Sequence, residues 1–172
     1  MSDGSENILG VDPGAKKFGM VVINGRTMEV VYSQTHSFGT LEWTHWGRRI
    51  EAKLEEVFAV HPWSMAGMEA PQLISAYKAR NKVSANARTA NTAGLFGVSA
   101  VLAHWLQKRD IELKHFHPTT LKSFGTGDSK ATKSEMMKAA KERSGHKFSS
   151  DHCADGFWAA AMAADLFLQS KS

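Results

Sequence analysis

Three carboxylates stand at the ends of apolar runs, where an unpaired charge is expensive. Asp12 follows Ile8-Leu-Gly-Val11, Glu69 follows Ser64-Met-Ala-Gly-Met68, and Asp155 precedes Gly156-Phe-Trp-Ala-Ala-Ala-Met162. Acids in such settings are uncommon unless they are paired or bound to a cation. A salt bridge or a helix cap competes as an explanation for each acid alone, and the three matching settings together favour a shared site. Hard oxygen donors suit Mg²⁺, with Mn²⁺ as a substitute, better than zinc, because Cys153 is the sole cysteine and no Cys/His spacing of the zinc type occurs. His152 lies three residues before Asp155, on the same helical face, and can address the same metal. Asp151, four residues before Asp155, is either a second-choice ligand or the helix N-cap. Cys153 reads as core packing, since no Cys/His/Asn set accompanies it.

Positioning these groups requires an alternation of strands and helices. Ile8–Val11, Gly19–Ile23 and Glu29–Ser33 read as three antiparallel strands, the last two joined by an Asn24-Gly25 hairpin turn. Leu41–Val60 carries Trp43, Trp46, Ile50, Leu54, Val57 and Phe58 mostly at steps of three and four, an amphipathic helix closed by His61-Pro62. Ser64–Met68 reads as a buried strand ending at Glu69, and Ile111–His117 as a fifth strand. Thr92–Lys108 is expected to be a helix with a small-residue face, Lys133–Arg143 a basic helix ended by Gly145, and Asp151–Gln169 an Ala-rich final helix. If the first and fourth strands are neighbours, Asp12 and Glu69 emerge side by side at a sheet edge, and the last helix can bring Asp155 across them. One α/β domain over residues 1–172, with 1–6 as a flexible tail, is the economical account.

The chain has 172 residues, 42% of them hydrophobic and 22% charged, which excludes a disordered tail or a fibrous protein. No window approaches the roughly 18 apolar residues of a membrane span, and the N-terminus is short and acidic. The expectation is a soluble, intracellular protein without a membrane partner. Basic residues are clustered: six from Tyr77 to Arg109 with no acid, and eight from Lys114 to Lys147 against three acids. Two such tracts suit a polyanion, and nucleic acid is the usual one. Within Leu121–Lys133 the glycines allow a tight loop, Thr132 or Ser129 can cap the following helix, and Lys122, Lys130 and Lys133 add charges for a phosphate. Tyr77, among Lys78, Arg80 and Lys82, is the best residue available for stacking on a base. His115 and His117 alternate on a strand and could flank the site.

Four segments carry a resemblance. Ile8-Leu-Gly-Val-Asp-Pro-Gly14 with Phe18-Gly19, Gly67-Met-Glu-Ala-Pro71, Thr126-Gly-Asp-Ser-Lys-Ala-Thr-Lys133, and Asp151-His-Cys-Ala-Asp-Gly156 resemble the successive signatures of the RuvC family of Holliday junction resolvases, in order and at roughly the family's spacing. The first alone also resembles the opening of sugar kinases and actin-like ATPases, whose two domains need a far longer chain. The resemblance implies an RNase H-like fold with a five-stranded mixed sheet flanked by helices, a homodimer, and Mg²⁺-dependent paired nicks in a four-way DNA junction. It implies Asp12, Glu69 and Asp155 as ligands of two divalent ions, and His152, at a position where the family has aspartate or histidine, as ligand or general base. Loss of activity at low pH is then expected as His152 charges. Family members carry an aromatic wedge shortly after the strand-four glutamate, where this chain has Pro71, Gln72 and Leu73. The small-residue helix Thr92–Lys108 is the candidate dimer interface. Alternatives are a related nuclease acting on flaps or hybrids, a junction-binding protein that does not cut, and, opposed by length, a small ATPase domain. The setting implied is a bacterial cytoplasm or a phage-infected cell, with an organelle as a further option.

Overall fold

The structure, a computed structural model, describes residues 6–14, 17–37, 45–71 and 85–171. Five strands and five helices alternate along it: β1 (Asn7–Pro13), β2 (Lys17–Asn24), β3 (Val30–Ser37), α1 (Trp46–Val60), β4 (Met65–Glu69), α2 (Ala85–Gln107), β5 (Glu112–Phe116), α3 (Pro118–Thr126), α4 (Lys133–Ser144) and α5 (Asp151–Gln169). The strands form one sheet in the order β3-β2-β1-β4-β5. β1, β2 and β3 pair antiparallel, whereas β4 lies parallel to β1 and β5 parallel to β4. The sheet is therefore the five-stranded mixed sheet expected from the sequence.

Helices cover both faces, which explains why β1 and β2 read as unbroken apolar runs and not as alternating ones. Ile8, Val21, Ile23 and Met65 pack on one side against α5, with α3 and α4 supporting that helix through Leu121, Met136 and Ala140. Leu9, Val11, Met20, Val22 and Met68 face the other side, against Ile50, Leu54 and Val57 of α1 and Leu102, Trp105 and Leu106 of α2. Burial of this order, at roughly 25 cal/mol per Å² of apolar surface, is the main stabilising term of the fold. Cys153 is fully buried within the α5 core, where its sulfur lies 3.3 Å from Thr35 Oγ1, in keeping with a packing role.

Small residues set how closely α5 approaches the sheet. A Cβ on Gly10 would lie 1.9 Å from the Gly156 carbonyl oxygen, and one on Gly67 would lie 2.1 Å from that of Ala159. Glycine within a strand commonly marks such close approach. The helix contributes Gly156, Ala159, Ala160 and Ala163 to the same seam.

Two local expectations are corrected. The β2–β3 hairpin forms, but not through a two-residue Asn24-Gly25 turn. Asn24 Oδ1 accepts from the backbone N–H groups of Arg26 and Thr27, its carbonyl accepts from Met28, and Met28 is the residue that adopts the left-handed conformation, at φ 62°. The Asn24 side chain thus builds a longer loop in place of the tight turn. Leu121–Thr126, expected as part of a tight loop, instead belongs to α3, which starts on Pro118 and stops at Gly127 in the left-handed conformation. Gly125 serves packing here: a Cβ on it would stand 2.8 Å from the Trp158 ring. Residues 41–44 and 72–84 lie outside the described residues, so Trp43 and the stretch Gln72–Leu73 are not placed.

Candidate functional site

Residues of β1 alternate between the two faces, and Asp12 falls with Ile8 and Gly10 on the α5 side. Glu69 follows Met65 and Gly67 on the same side of β4. The parallel register of the two strands pairs Val11 with Met68, so Asp12 and Glu69 come level one residue further on, at the carboxyl ends of adjacent parallel strands. That is the usual location of a site in an open α/β sheet. The strand neighbours inferred from sequence are thus the neighbours found.

The start of α5 crosses these strand ends. Ser150, and not Asp151, is its N-cap, accepting a hydrogen bond from the Cys153 N–H at 3.2 Å. The cap places His152 and Asp155 in the first turns, over the sheet edge. A Cβ on Gly19 would lie 2.2 Å from the His152 carbonyl oxygen, so glycine on β2 lets this end of the helix sit down on the sheet. Asp12, Glu69, His152 and Asp155 all line one cavity of about 440 Å³, together with Pro13, Pro71, Pro118, Leu121, Lys122, Lys133 and Met136. The helices α3, α4 and α5 each bring a residue of their first turn to it, Pro118, Lys133 and His152. A second cavity of similar volume lies between α1 and α2. There Arg109 stacks on Trp105 at 3.8 Å and pairs with Glu55.

The electrostatics of the acids are unusual. Burial pushes the Glu69 carboxyl up to about 8, reinforced by the charges of Asp12 and Asp155 and opposed by Lys122 and Lys133. Burial and the Asp12 charge push Asp155 up to about 6. His152 Nδ1 lies 2.6 Å from Asp12 Oδ2; a carboxylate can only accept, so Nδ1 carries the hydrogen and the neutral ring keeps its free lone pair on Nε2. This hydrogen bond raises the His152 pKa above its ordinary value against the opposing effect of burial. A set of carboxylates that resists full ionisation is what a divalent cation relieves, and oxygen donors with one imidazole match Mg²⁺ or Mn²⁺. Among the described residues no three His, Cys, Asp or Glu side chains stand as a ready-made metal cluster.

Of the remaining sequence candidates, Lys122 and Lys133 line the cavity. Lys130 is exposed on the loop between α3 and α4, where its backbone N–H donates to Asp128 Oδ1 at 2.8 Å. Thr132 caps α4 in a capping box with Glu135. Asp151 does not line the cavity, and pairs with Lys133 instead, which lowers the Asp151 pKa and raises that of Lys133. His115 is exposed on the edge strand, and His117 is the N-cap residue of α3, 2.8 Å from Thr119 Oγ1, so neither joins the acids. Tyr77, Lys78, Arg80 and Lys82 lie outside the described residues. Sequence reasoning missed the seam glycines Gly10, Gly19 and Gly67, whose signal was glycine recurring inside β-rich runs.

The architecture, a five-stranded mixed sheet flanked by helices, is the RNase H-like fold. The chain is similar to Thermus thermophilus RuvC at a TM-score of 0.74 and 16% identity, over 95% of this chain and 96% of that one. Against T. thermophilus RuvC in complex with Holliday junction substrate the TM-score is 0.75, with 16% identity over 96% of each chain. The yeast mitochondrial Holliday junction resolvase Ydc2 matches at 0.65 and 15% identity, over 98% of this chain and 81% of that one. No family model and no curated protein matches the sequence. No helix among the described residues is long and apolar enough to cross a membrane.

Proposed function

We propose that this protein is a metal-dependent, structure-selective DNA endonuclease that resolves four-way junctions by paired hydrolytic nicks, acting as a homodimer. One observation carries the reading: Asp12, Glu69 and Asp155 converge with His152 on a single cavity whose wall also holds Lys122 and Lys133. Acids for divalent cations and lysines for phosphates in one pocket suit phosphodiester hydrolysis. The likeness in fold to a resolvase solved with its Holliday junction substrate supports the choice of DNA.

In this reading Asp12, Glu69 and Asp155 hold the metal, with Mg²⁺ as the preferred ion, two ions as the expected number and Mn²⁺ as a substitute. When bound, such ions lower the pKa of water to the neutral range and stabilise the charge on the leaving 3′ oxygen. Asp12 orients the His152 imidazole, whose Nε2 is the group available to hold a metal or accept a proton. Lys122 and Lys133, on the same cavity wall, hold backbone phosphates near the acids. Lys130 adds a more distant phosphate contact. Tyr77, Lys78, Arg80 and Lys82 are assigned to the junction centre and its arms.

The dimer is assigned to the outer face of α2. Phe96 is 40% exposed there, and Gly97 and Ala100 beside it are exposed and small. Gly97 has no neighbour within 4 Å of a built Cβ, which leaves room for close approach of a second helix.

The test mixes purified protein with a labelled mobile four-way junction, a matched duplex and a flap, in Mg²⁺ and in EDTA, beside Asp12→Asn. Symmetric paired nicks in the junction alone, lost in EDTA and in the variant, are expected. Preferential cutting of the flap would move the activity to the related nuclease class, and tight junction binding without cutting in Mg²⁺ or Mn²⁺ would overturn the nuclease reading.

A further inference from the structure

The ion pair between Lys133 and Asp151 sits where the metal and phosphate functions meet. Lys133 belongs to the cavity wall that holds Asp12, Glu69 and Asp155, yet its Nζ is engaged by Asp151 Oδ2 at the rim. A lysine on a flexible stem can hold its ammonium against Asp151 at the rim or pass it to a phosphate entering the pocket. Both partners stand on fixed helix starts. The α4 start, where Lys133 is the first residue, is fixed by the Thr132–Glu135 capping box, and the α5 start, where Asp151 is the first residue, is fixed by the Ser150 cap. An acid in the first turn of a helix is also favoured by the helix dipole.

We propose that Asp151 is a positioning residue that parks the Lys133 ammonium at the pocket rim as an internal stand-in for a backbone phosphate, and yields it to the phosphate when nucleic acid docks. The Lys133 side chain is 72% exposed and that of Asp151 30%. Pairs this open to water are weak, so an incoming phosphate displaces the carboxylate at small cost. Asp151 thereby sets a modest ceiling on affinity. The inference rests on the proposed DNA-binding role of the pocket.

Fluorescence anisotropy of a labelled four-way junction, in EDTA and across a salt series, tests it without any cutting. Asp151→Asn is expected to bind about three- to fivefold tighter than the wild type, with a salt slope steeper by about one. Asp151→Glu, which keeps the charge, is expected to match the wild type. Lys133→Gln is expected to bind more weakly, and adding Asp151→Asn to it should bring no gain. Tightening by Asp151→Asn that persists in the Lys133→Gln background would overturn the proposal in favour of a general field effect, as would unchanged or weaker binding by Asp151→Asn alone. Failure of the wild-type protein to bind the junction would overturn the DNA reading itself and the proposal with it, an outcome distinct from either of those.

Discussion

The Nδ1 of His152 lies 2.6 Å from Oδ2 of Asp12, joining the first turn of the last helix to the end of the first strand across 140 positions of sequence. The contact ties the two halves of the candidate site together and commits the imidazole to one tautomer when neutral.

Stability of the metal-free protein should fall as pH rises. Glu69 and Asp155 hold their protons more tightly when folded than when unfolded, with pKa values pushed up to about 8 and about 6. Their contribution is complete below the ordinary carboxylate range and is lost as pH rises through those values. His152, also raised, has the same sign: its contribution is present below its ordinary value and lost above the raised one. Thermal denaturation in EDTA from pH 5 to pH 9 should show Tm decreasing, at about 2–4 °C per kcal/mol for a chain of this size. A flat or rising profile would contradict the burial of these acids.

Cation binding must show the reciprocal effect. In the proposed function a divalent metal would replace protons on Glu69 and Asp155, and its affinity should then rise with pH between about 6 and 8. Calorimetric titration with Mn²⁺ at pH 6 and pH 8 measures both the affinity and the protons released. The low-pH loss of cutting expected from His152 has the same direction, and His152→Asn separates the two causes by leaving the carboxylate effect in place.

Asp12→Asn should reduce cutting by at least about 10²-fold, the scale of removing one preorganised electrostatic group. Junction binding should be retained or strengthened, because a negative charge facing the phosphate is removed. The His152 pKa should drop toward its ordinary value, which a pH titration followed by NMR reads directly.

Gly67→Ala should destabilise the fold by about 1–3 kcal/mol and lower activity with it. The added methyl would stand 2.1 Å from the Ala159 carbonyl oxygen, so α5 must lift, carrying Asp155 and His152 away from Asp12. Chemical denaturation and an activity assay on the same sample check both effects.

Lys122→Gln should weaken junction binding about equally for all sequences and reduce the salt slope by about one. Phe96→Glu, which puts a charge on the outer face of α2, should yield a monomer in sedimentation and abolish paired nicking. A Phe96→Glu protein that remains dimeric would place the interface elsewhere.

Legibility in the sequence followed the physics of each element. The bounds of α5, Asp151–Gln169, match the sequence reading because Ser150 stops the chain before it and a long Ala-rich run can do little else. β1, β2 and β4 were legible because both of their faces are buried. α3 was not, because nine residues with an internal glycine give no period, and it exists through its docking of Leu121 on the core and of Gly125 on Trp158. The Asn24-Gly25 pair signalled the hairpin correctly but not its shape, since the Asn24 side chain competes for the turn N–H groups.

By itself the sequence singled out the acids that the fold brings to one cavity, since an acid ending an apolar run declares a local conflict that pairing or a shared site must relieve. It also determined the alternation of elements, which depends on short-range periodicity. Only the tertiary structure decided that Asp12 and Glu69 come level, that His152 takes Asp12 as partner, and that Asp151 turns from the cavity to Lys133. Those relations depend on strand register and on the close seating of α5 over Gly10, Gly19 and Gly67, and distances between residues far apart in the chain are set by packing, which no local pattern encodes.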